Sequence, residues 1–185
     1  DGDVYKAGQL LRANRLTQYK DMENGDWQFL MWDEEENRTK VPKGSVGNRW
    51  AKKNKGHWNL KLEDNADGSK IAPKLTFLKD SDQIYSVELD DFSQGETITR
   101  NVPVKMIETA DGQVPVATVY DLLMAQYGVG RGLEGYPENY EEDATYTPAW
   151  AEKYTGIAPE TLIRFAREWA STAEKTGGKC TVIIG

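Results

Sequence analysis

A few side chains in this sequence are of types that do chemistry. They are the carboxylate pairs Asp80/Asp82 and Asp90-Asp91, the single histidine His57, the single cysteine Cys180, and a basic run interleaved with Trp50 and Trp58. Paired carboxylates can share a proton or hold a cation. Both pairs stand in turn-like sequence, where Asp bonds its own backbone, so neither a metal nor an acid–base role is expected of them. His57 has no carboxylate, Ser or Cys partner at a spacing that suggests base catalysis and reads as a loop or edge residue. One histidine leaves no multi-histidine metal site within the chain, and one cysteine leaves no internal disulfide or thiolate cluster. Cys180, inside an apolar run, reads as a small buried hydrophobe. Gly130-x-Gly132 lacks a strand before it and a helix after it, so it carries no phosphate-binding weight. No set of residues forms an identifiable reaction centre, and no catalytic, cofactor-binding or metal residue is assigned.

The charge distribution narrows the partners. The net charge is −7, yet residues 38–55 hold seven Lys or Arg and no acid, while 134–143 hold five acids and no base. Basic residues among tryptophans can bind single-stranded nucleic acid. An acidic chain without a nucleic-acid motif favours a solvated loop or a protein-docking surface instead. No apolar run is long enough to span a bilayer.

The elements that would position these residues follow an α+β order. A turn at 21–26 is followed by a strand at 27–32, a second turn at 33–37 and a returning strand at 38–41. Leu10, Leu11, Ala13 and Leu16 form either a short helix or a docking arm. Strands are expected at 75–78, 84–89 and 97–105. Met106-Ile107-Glu108, Asp111-Gly112 and 114–116 predict a tight hairpin. Thr118-Val119-Tyr120-Asp121 is a capping box with Asp in place of Glu, opening a helix over 118–127. Thr147 and Pro148 suit the N-cap and first position of a helix over 148–154, and Gly156 suits its stop. A helix over 159–175 carries Leu162, Ile163, Phe165, Ala166, Trp169, Ala170 and Ala173 at spacings of three and four. Glu160 and Lys175 match its dipole and Gly177-Gly178 ends it. The apolar run 180–184 then predicts a buried parallel strand of a truncated α/β unit. The organisation read from this is an arm at 1–26, a β-rich insertion at 27–116 and a helical part at 117–185. The whole reads as one piece of a larger subunit.

Certain stretches resemble a known family. Tyr146-Thr147-Pro148-Ala149-Trp150-Ala151-Glu152, then Thr155-Gly156-Ile157 and the helix 160–170, are similar to the Thr-Pro-x-Trp-Ala segment of molybdopterin oxidoreductases of the DMSO reductase type. Gly44-Ser45-Val46-Gly47-Asn48-Arg49-Trp50, Trp58-Asn59-Leu60, Val102-Pro103-Val104-Lys105, Ala110-Asp111-Gly112 and 118–133 occur in the order found in alpha subunits of respiratory, membrane-bound nitrate reductases. Asp1-Gly2 and Ala7-Gly8-Gln9-Leu10-Leu11-Arg12-Ala13 fit the same subunit. Residues 64–100 match least.

The resemblance implies an internal, non-catalytic scaffold segment of an alpha subunit whose parent reduces nitrate to nitrite in anaerobic respiration. It implies, for the parent, a molybdenum bis(molybdopterin guanine dinucleotide) cofactor and a 4Fe-4S cluster, none of it held by this segment. The partners implied are the rest of the alpha subunit, an iron–sulfur beta subunit and a haem-bearing membrane subunit, with no nucleic acid and no direct membrane insertion. The place implied is the cytoplasmic face of the membrane. The family's cluster ligands, its aspartate ligand to molybdenum and its pterin-contacting residues have no counterparts in this sequence. Related oxyanion reductases acting on chlorate, perchlorate or selenate share the scaffold. A free-standing binding module using aromatic and basic residues is the alternative from another class. The basic run and Trp27, Trp32, Trp50 and Trp58 suggest docking to the beta subunit.

Overall fold

A computed structural model describes residues 4–43, 61–91 and 95–183. The elements, in order, are β1 (Val4–Lys6), 3-10 turns at Ala13–Arg15 and Thr17–Tyr19, β2 (Met31–Asp33), β3 (Arg38–Lys40), β4 (Pro42–Lys43) and β5 (Lys61–Asp64). They continue with β6 (Gln83–Asp91), β7 (Glu96–Thr109), β8 (Gly112–Val116), α1 (Val119–Gln126), α2 (Pro148–Thr155) and α3 (Pro159–Thr176). One sheet has the order β1-β6-β7-β8, and β2 pairs with β3 and β4 with β5. Strands precede helices, which is the expected α+β class. The chain divides into two compact units, Asp1–Val87 with Val102–Leu122, and Glu88–Asn101 with Leu123–Gly185.

The first unit is built on antiparallel hairpins. β2 and β3 pair Met31 with Lys40, Trp32 with Thr39 and Asp33 with Arg38, closed by a turn in which Asn37 takes the left-handed φ of 51° that Asn tolerates. β7 and β8 pair from Lys105↔Val116 to Thr109↔Gly112, the tight hairpin read at 106–116. The N-terminal segment docks on the strands through short 3-10 helical turns. Its two 3-10 turns bury Ala13, Leu16 and Tyr19 against Val41 and Ile107, with Leu30, Trp32 and Val114 packed around them. This is the hydrophobic core of the unit, and each buried side chain of this size contributes about 1.5–3 kcal/mol.

The second unit carries two helices with well-formed ends. Thr147 caps α2, its hydroxyl oxygen accepting from Trp150 N at 3.1 Å while the hydroxyl donates to the Glu142 carbonyl at 2.7 Å. Pro148 occupies the first turn and Gly156 stops the helix at φ 68°. α3 opens with Pro159 and Glu160 and closes at Gly177, where Gly178 N donates to the Ala173 carbonyl at 2.7 Å.

Three readings of local structure are corrected. Residues 75–78 form no strand: Phe77 N donates to the Asp121 carboxylate at 2.9 Å, so this backbone is held by a side chain and not by a ladder. The strand read at 27–32 is confined to Met31–Asp33, because Gln28 and the residues before it belong to a turn network, with Trp27 N and Gln28 N both donating to Asn24 O. The strand expected at 180–184 has no ladder over its described residues 180–183, and Ile183 is 89% exposed. A parallel strand needs neighbours on both edges, and among the described residues none lies beside it.

Candidate functional site

The most deeply buried charged groups, Lys40, Asp33, Asp64 and Asp121, lie in the first unit, the first two on the β2–β3 hairpin. Lys40 has a fully buried side chain whose ammonium reaches Asp33 Oδ2 at 2.8 Å, Glu36 Oε1 at 2.6 Å and the Lys70 carbonyl at 2.8 Å. Three donors meet three acceptors, so the cation is satisfied. Asp33 Oδ1 also accepts from Ala72 N at 2.7 Å, and Oδ2 from Glu36 N at 3.3 Å. The hydrogen bond from Lys40 holds the Asp33 carboxyl below the usual carboxylate range, against the opposing pull of burial. Lys40 and then Arg38 lower Glu36 in the same way. Burial draws Lys40 down, and its bonds to Asp33 and Glu36 outweigh that and leave it raised. All three groups are therefore fixed in their charged forms at neutral pH. A base must be able to give up its charge near the working pH, and none of these can.

Two neighbouring carboxylates are used in the same manner. Asp64, fully buried, accepts from Val41 N at 3.4 Å, Ala66 N at 3.2 Å, the Tyr19 hydroxyl at 3.3 Å and Arg38 at 3.4 Å. Asp121, also fully buried, accepts from Phe77 N and from the Thr76 hydroxyl. Thr118 Oγ1 accepts from Asp121 N at 2.9 Å, the forward arm of the expected capping box. These carboxylates fasten loops to strands.

Asp80 and Asp82 both face Lys105, whose Nζ lies 3.5 Å from Asp80 Oδ2 and 4.0 Å from Asp82 Oδ1. Asp80 pairs with Lys74 at 2.8 Å and Lys105 at 3.5 Å, while Asp82 Oδ2 accepts from Met106 N at 2.7 Å. Burial raises the Asp80 carboxyl, and Lys74 and Lys105 together outweigh that and lower it. Lys105 Nζ also lies 5.0 Å from the Trp32 ring centroid and 5.6 Å from that of Phe77, a cation–π arrangement. Asp90 and Asp91 end strand β6 and do not form a turn. Cys180 is a free thiol, its Sγ 3.9 Å from the Trp169 carbonyl. His57 lies outside the described residues, as do Trp50, Trp58, Lys52, Lys53 and Lys55 of the docking idea; of its other tryptophans, Trp27 is exposed and Trp32 packs against the core of the first unit.

The first unit also holds an apolar cleft of about 440 Å³, lined among others by Leu10, Leu11, Phe29, Trp32, Leu75 and Val116. Its lining includes no Asp, Glu, His or Cys. No group of three or more such residues among the described ones is placed to hold a metal ion.

In the second unit the family-like motif resolves into folding devices. Thr147 and Pro148 start α2. Trp150 lies between Tyr146 and Tyr154, at ring-centroid distances of 5.1 and 4.7 Å, and Tyr127 extends the row at 5.9 Å from Tyr146. Gly130 explains its own residue type. A Cβ there would sit 2.6 Å from the Cβ of Tyr136, whose hydroxyl donates to the Asn101 carbonyl at 2.6 Å. Sequence reasoning missed the Asp33–Glu36–Lys40 cluster. The one available signal was Glu36 and Lys40 four residues apart across a turn, a spacing common on exposed surfaces.

No family model matches the chain. Curated proteins do. It is 34% identical over 188 residues to the nitrate reductase alpha chain of Bacillus subtilis, covering 100% of this chain and 15% of that protein. It is 36% identical over 196 residues to the respiratory nitrate reductase 1 alpha chain of Escherichia coli, covering 98% of this chain and 16% of that protein. It is 34% identical over 197 residues to a nitrate reductase alpha subunit of Mycobacterium tuberculosis, covering 100% of this chain. The chain thus spans roughly one-sixth of the length of these relatives, and their names do not favour a free-standing binding module. Along its whole length, then, the chain is similar to one part of nitrate reductase alpha chains.

Proposed function

We propose that this chain is a non-catalytic scaffold segment of the alpha chain of a molybdenum-dependent nitrate reductase, whose whole subunit reduces nitrate to nitrite. The observation that carries the reading is the similarity to nitrate reductase alpha chains from end to end of the sequence. The structure supports the scaffold half. Asp33, Glu36, Lys40 and Asp64 are bound to backbone or to neighbouring side chains, and Asp80 is paired with Lys74 and Lys105. In this reading the molybdopterin cofactor and the iron–sulfur cluster are held elsewhere in the alpha chain. An iron–sulfur beta subunit and a membrane subunit complete the complex at the cytoplasmic face of the membrane. No described helix is long and apolar enough to cross a membrane. Within the proposed complex the segment therefore contributes through its surfaces.

The test uses the full-length alpha chain, loaded with molybdenum and supplied with a reduced dye. It is expected to convert nitrate to nitrite. Glu36→Gln and Asp80→Asn are expected to keep turnover per bound molybdenum within about twofold. A loaded enzyme inert toward nitrate overturns the activity. A loss of about 100-fold or more in either variant at unchanged molybdenum content overturns the scaffold role.

A further inference from the structure

The helix α3 is apolar over more of its circumference than this chain covers. At about 100° per residue, Phe165, Trp169, Leu162, Ala173, Ala166, Ala170 and Ile163 follow one another around the helix within an arc of about 160°. A helix lying on the surface of one core needs an apolar stripe of only about 100°. Burial is uneven around the arc: Ile163, at 8% exposed, is the one buried residue of the helix, Leu162, Trp169 and Ala173 are half-buried, and Phe165, Ala166 and Ala170 are exposed. Phe165, about 200° around from Ile163, is 60% exposed. Its ring lies 6.0 Å from that of Trp169, one turn on, so two aromatic side chains share the open edge. Both flanks of the helix continue the pattern, with Ile157 42% and Val182 65% exposed. The polar sector is populated by Arg164, Arg167, Glu168, Ser171 and Lys175, so this is not a helix that is apolar all round.

Contiguous exposed apolar surface of this kind marks an interface. The occupant follows from length. The relatives match this chain over its whole extent but are more than six times longer, the chain covering 15% of the first of them. More than four-fifths of such a protein lies outside the described structure and is joined to it covalently. An intramolecular partner is present at high effective concentration, so even a weak contact stays bound. We propose that the incompletely covered arc of α3, the exposed Phe165, Ala166 and Ala170 with the half-buried Trp169 and Ala173, together with Ile157 and Val182, is the face on which the remainder of the same alpha chain packs, through an apolar surface of that remainder. This rests on the reading of the chain as an alpha-chain segment.

The experiment is hydroxyl-radical footprinting of the full-length alpha chain, read peptide by peptide by mass spectrometry and normalised to the same chain unfolded in urea. Oxidation at Phe165 and Trp169 is expected to be slowed at least about tenfold, and to stay so on dilution. Oxidation within about twofold of the unfolded rate, with the rest of the chain protected, overturns the proposal. Protection that disappears on dilution overturns it as well, since a second copy would then be the cover. The substitution Ala166→Cys gives a second readout with little risk to folding. Its thiol is expected to resist maleimide in the native full-length chain, while Arg164→Cys, on the polar side, reacts freely. Equal reactivity of the two overturns the proposal. Nitrate reduction by the same preparation is scored separately, so a protected but inactive chain counts against the activity and leaves the packing face standing.

Discussion

The β2–β3 hairpin and the helix α3 solve opposite halves of the same problem. The hairpin buries charge and closes the account internally: the Lys40 ammonium, Asp33 and Glu36 satisfy one another with the help of the Ala72 N–H and the Lys70 carbonyl. α3 closes its polar groups too, with Gly177 and Gly178 returning hydrogen bonds to its last carbonyls, but leaves Phe165 in water. The difference teaches where each kind of interaction must find its partner. A buried charge left unmatched costs several kcal/mol, so its partners are carried nearby in the chain. Exposed apolar area costs far less per side chain, so its cover can be supplied by sequence hundreds of residues away.

The comparison breaks most sharply at Lys40. Lys40→Met leaves the Asp33 carboxylate buried without its cation, and the thermal midpoint of the chain is expected to drop by about 10 °C in circular dichroism. Adding Asp33→Asn to Lys40→Met is expected to recover part of that loss, because the uncompensated charge goes with it. If the single and double variants melt alike, the cluster is not a coupled unit. The pH dependence has a definite sign. The Asp33 carboxyl is depressed in the folded chain, chiefly by Lys40, so its contribution is complete above the unfolded carboxylate value of about 3.9 and is lost as pH falls through the lower folded value. Stability measured from pH 6 down to 2 should therefore fall below about pH 4, and Asp33→Asn should flatten that limb.

The sequence made the framework of both regions readable, though unequally. α2 and α3 were legible to within a residue or two because their ends are marked by local chemistry: Thr147-Pro148, Gly156, Pro159-Glu160 and Gly177-Gly178. The 106–116 hairpin was legible for the same reason. The Asp33–Glu36–Lys40 cluster was not, since Lys40 looks like any strand lysine until Asp33 is brought beside it and the 70–72 segment supplies a carbonyl and an N–H. Residues 75–78 misled because their apolar alternation resembles a strand, while the group that captures Phe77 N, Asp121, lies 44 residues on. The run 180–184 has strand composition, but a parallel strand is defined by neighbours that its own sequence does not encode. The family resemblance came from motif order.

Smaller effects sharpen the contrast on the side of α3. Ile163→Ala removes the one buried side chain of the helix and is expected to cost about 2 kcal/mol in urea denaturation, at the low end for such truncations because the site is shallow. Thr147→Ala removes the cap on α2, and about 1 kcal/mol should be lost, while Thr147→Ser should retain nearly all of it. A loss in the serine variant as large as in the alanine variant would point to the Thr147 methyl group, and not the hydroxyl, as the stabilising element.

The smallest expected change is the most discriminating. Phe165→Gln alters a side chain that is 60% exposed, so the 185-residue chain should unfold within about 0.5 kcal/mol of its parent. In the full-length alpha chain the same substitution places an amide against the surface proposed to cover α3, where an unsatisfied polar group costs about 1–3 kcal/mol. The two measurements test the contrast together, since a residue whose partner lies outside the segment must be silent within it and audible in the whole. Should Phe165→Gln destabilise the 185-residue chain by as much as Ile163→Ala, Phe165 is already packed within the segment. The helix would then resemble the hairpin in closing all its contacts at home.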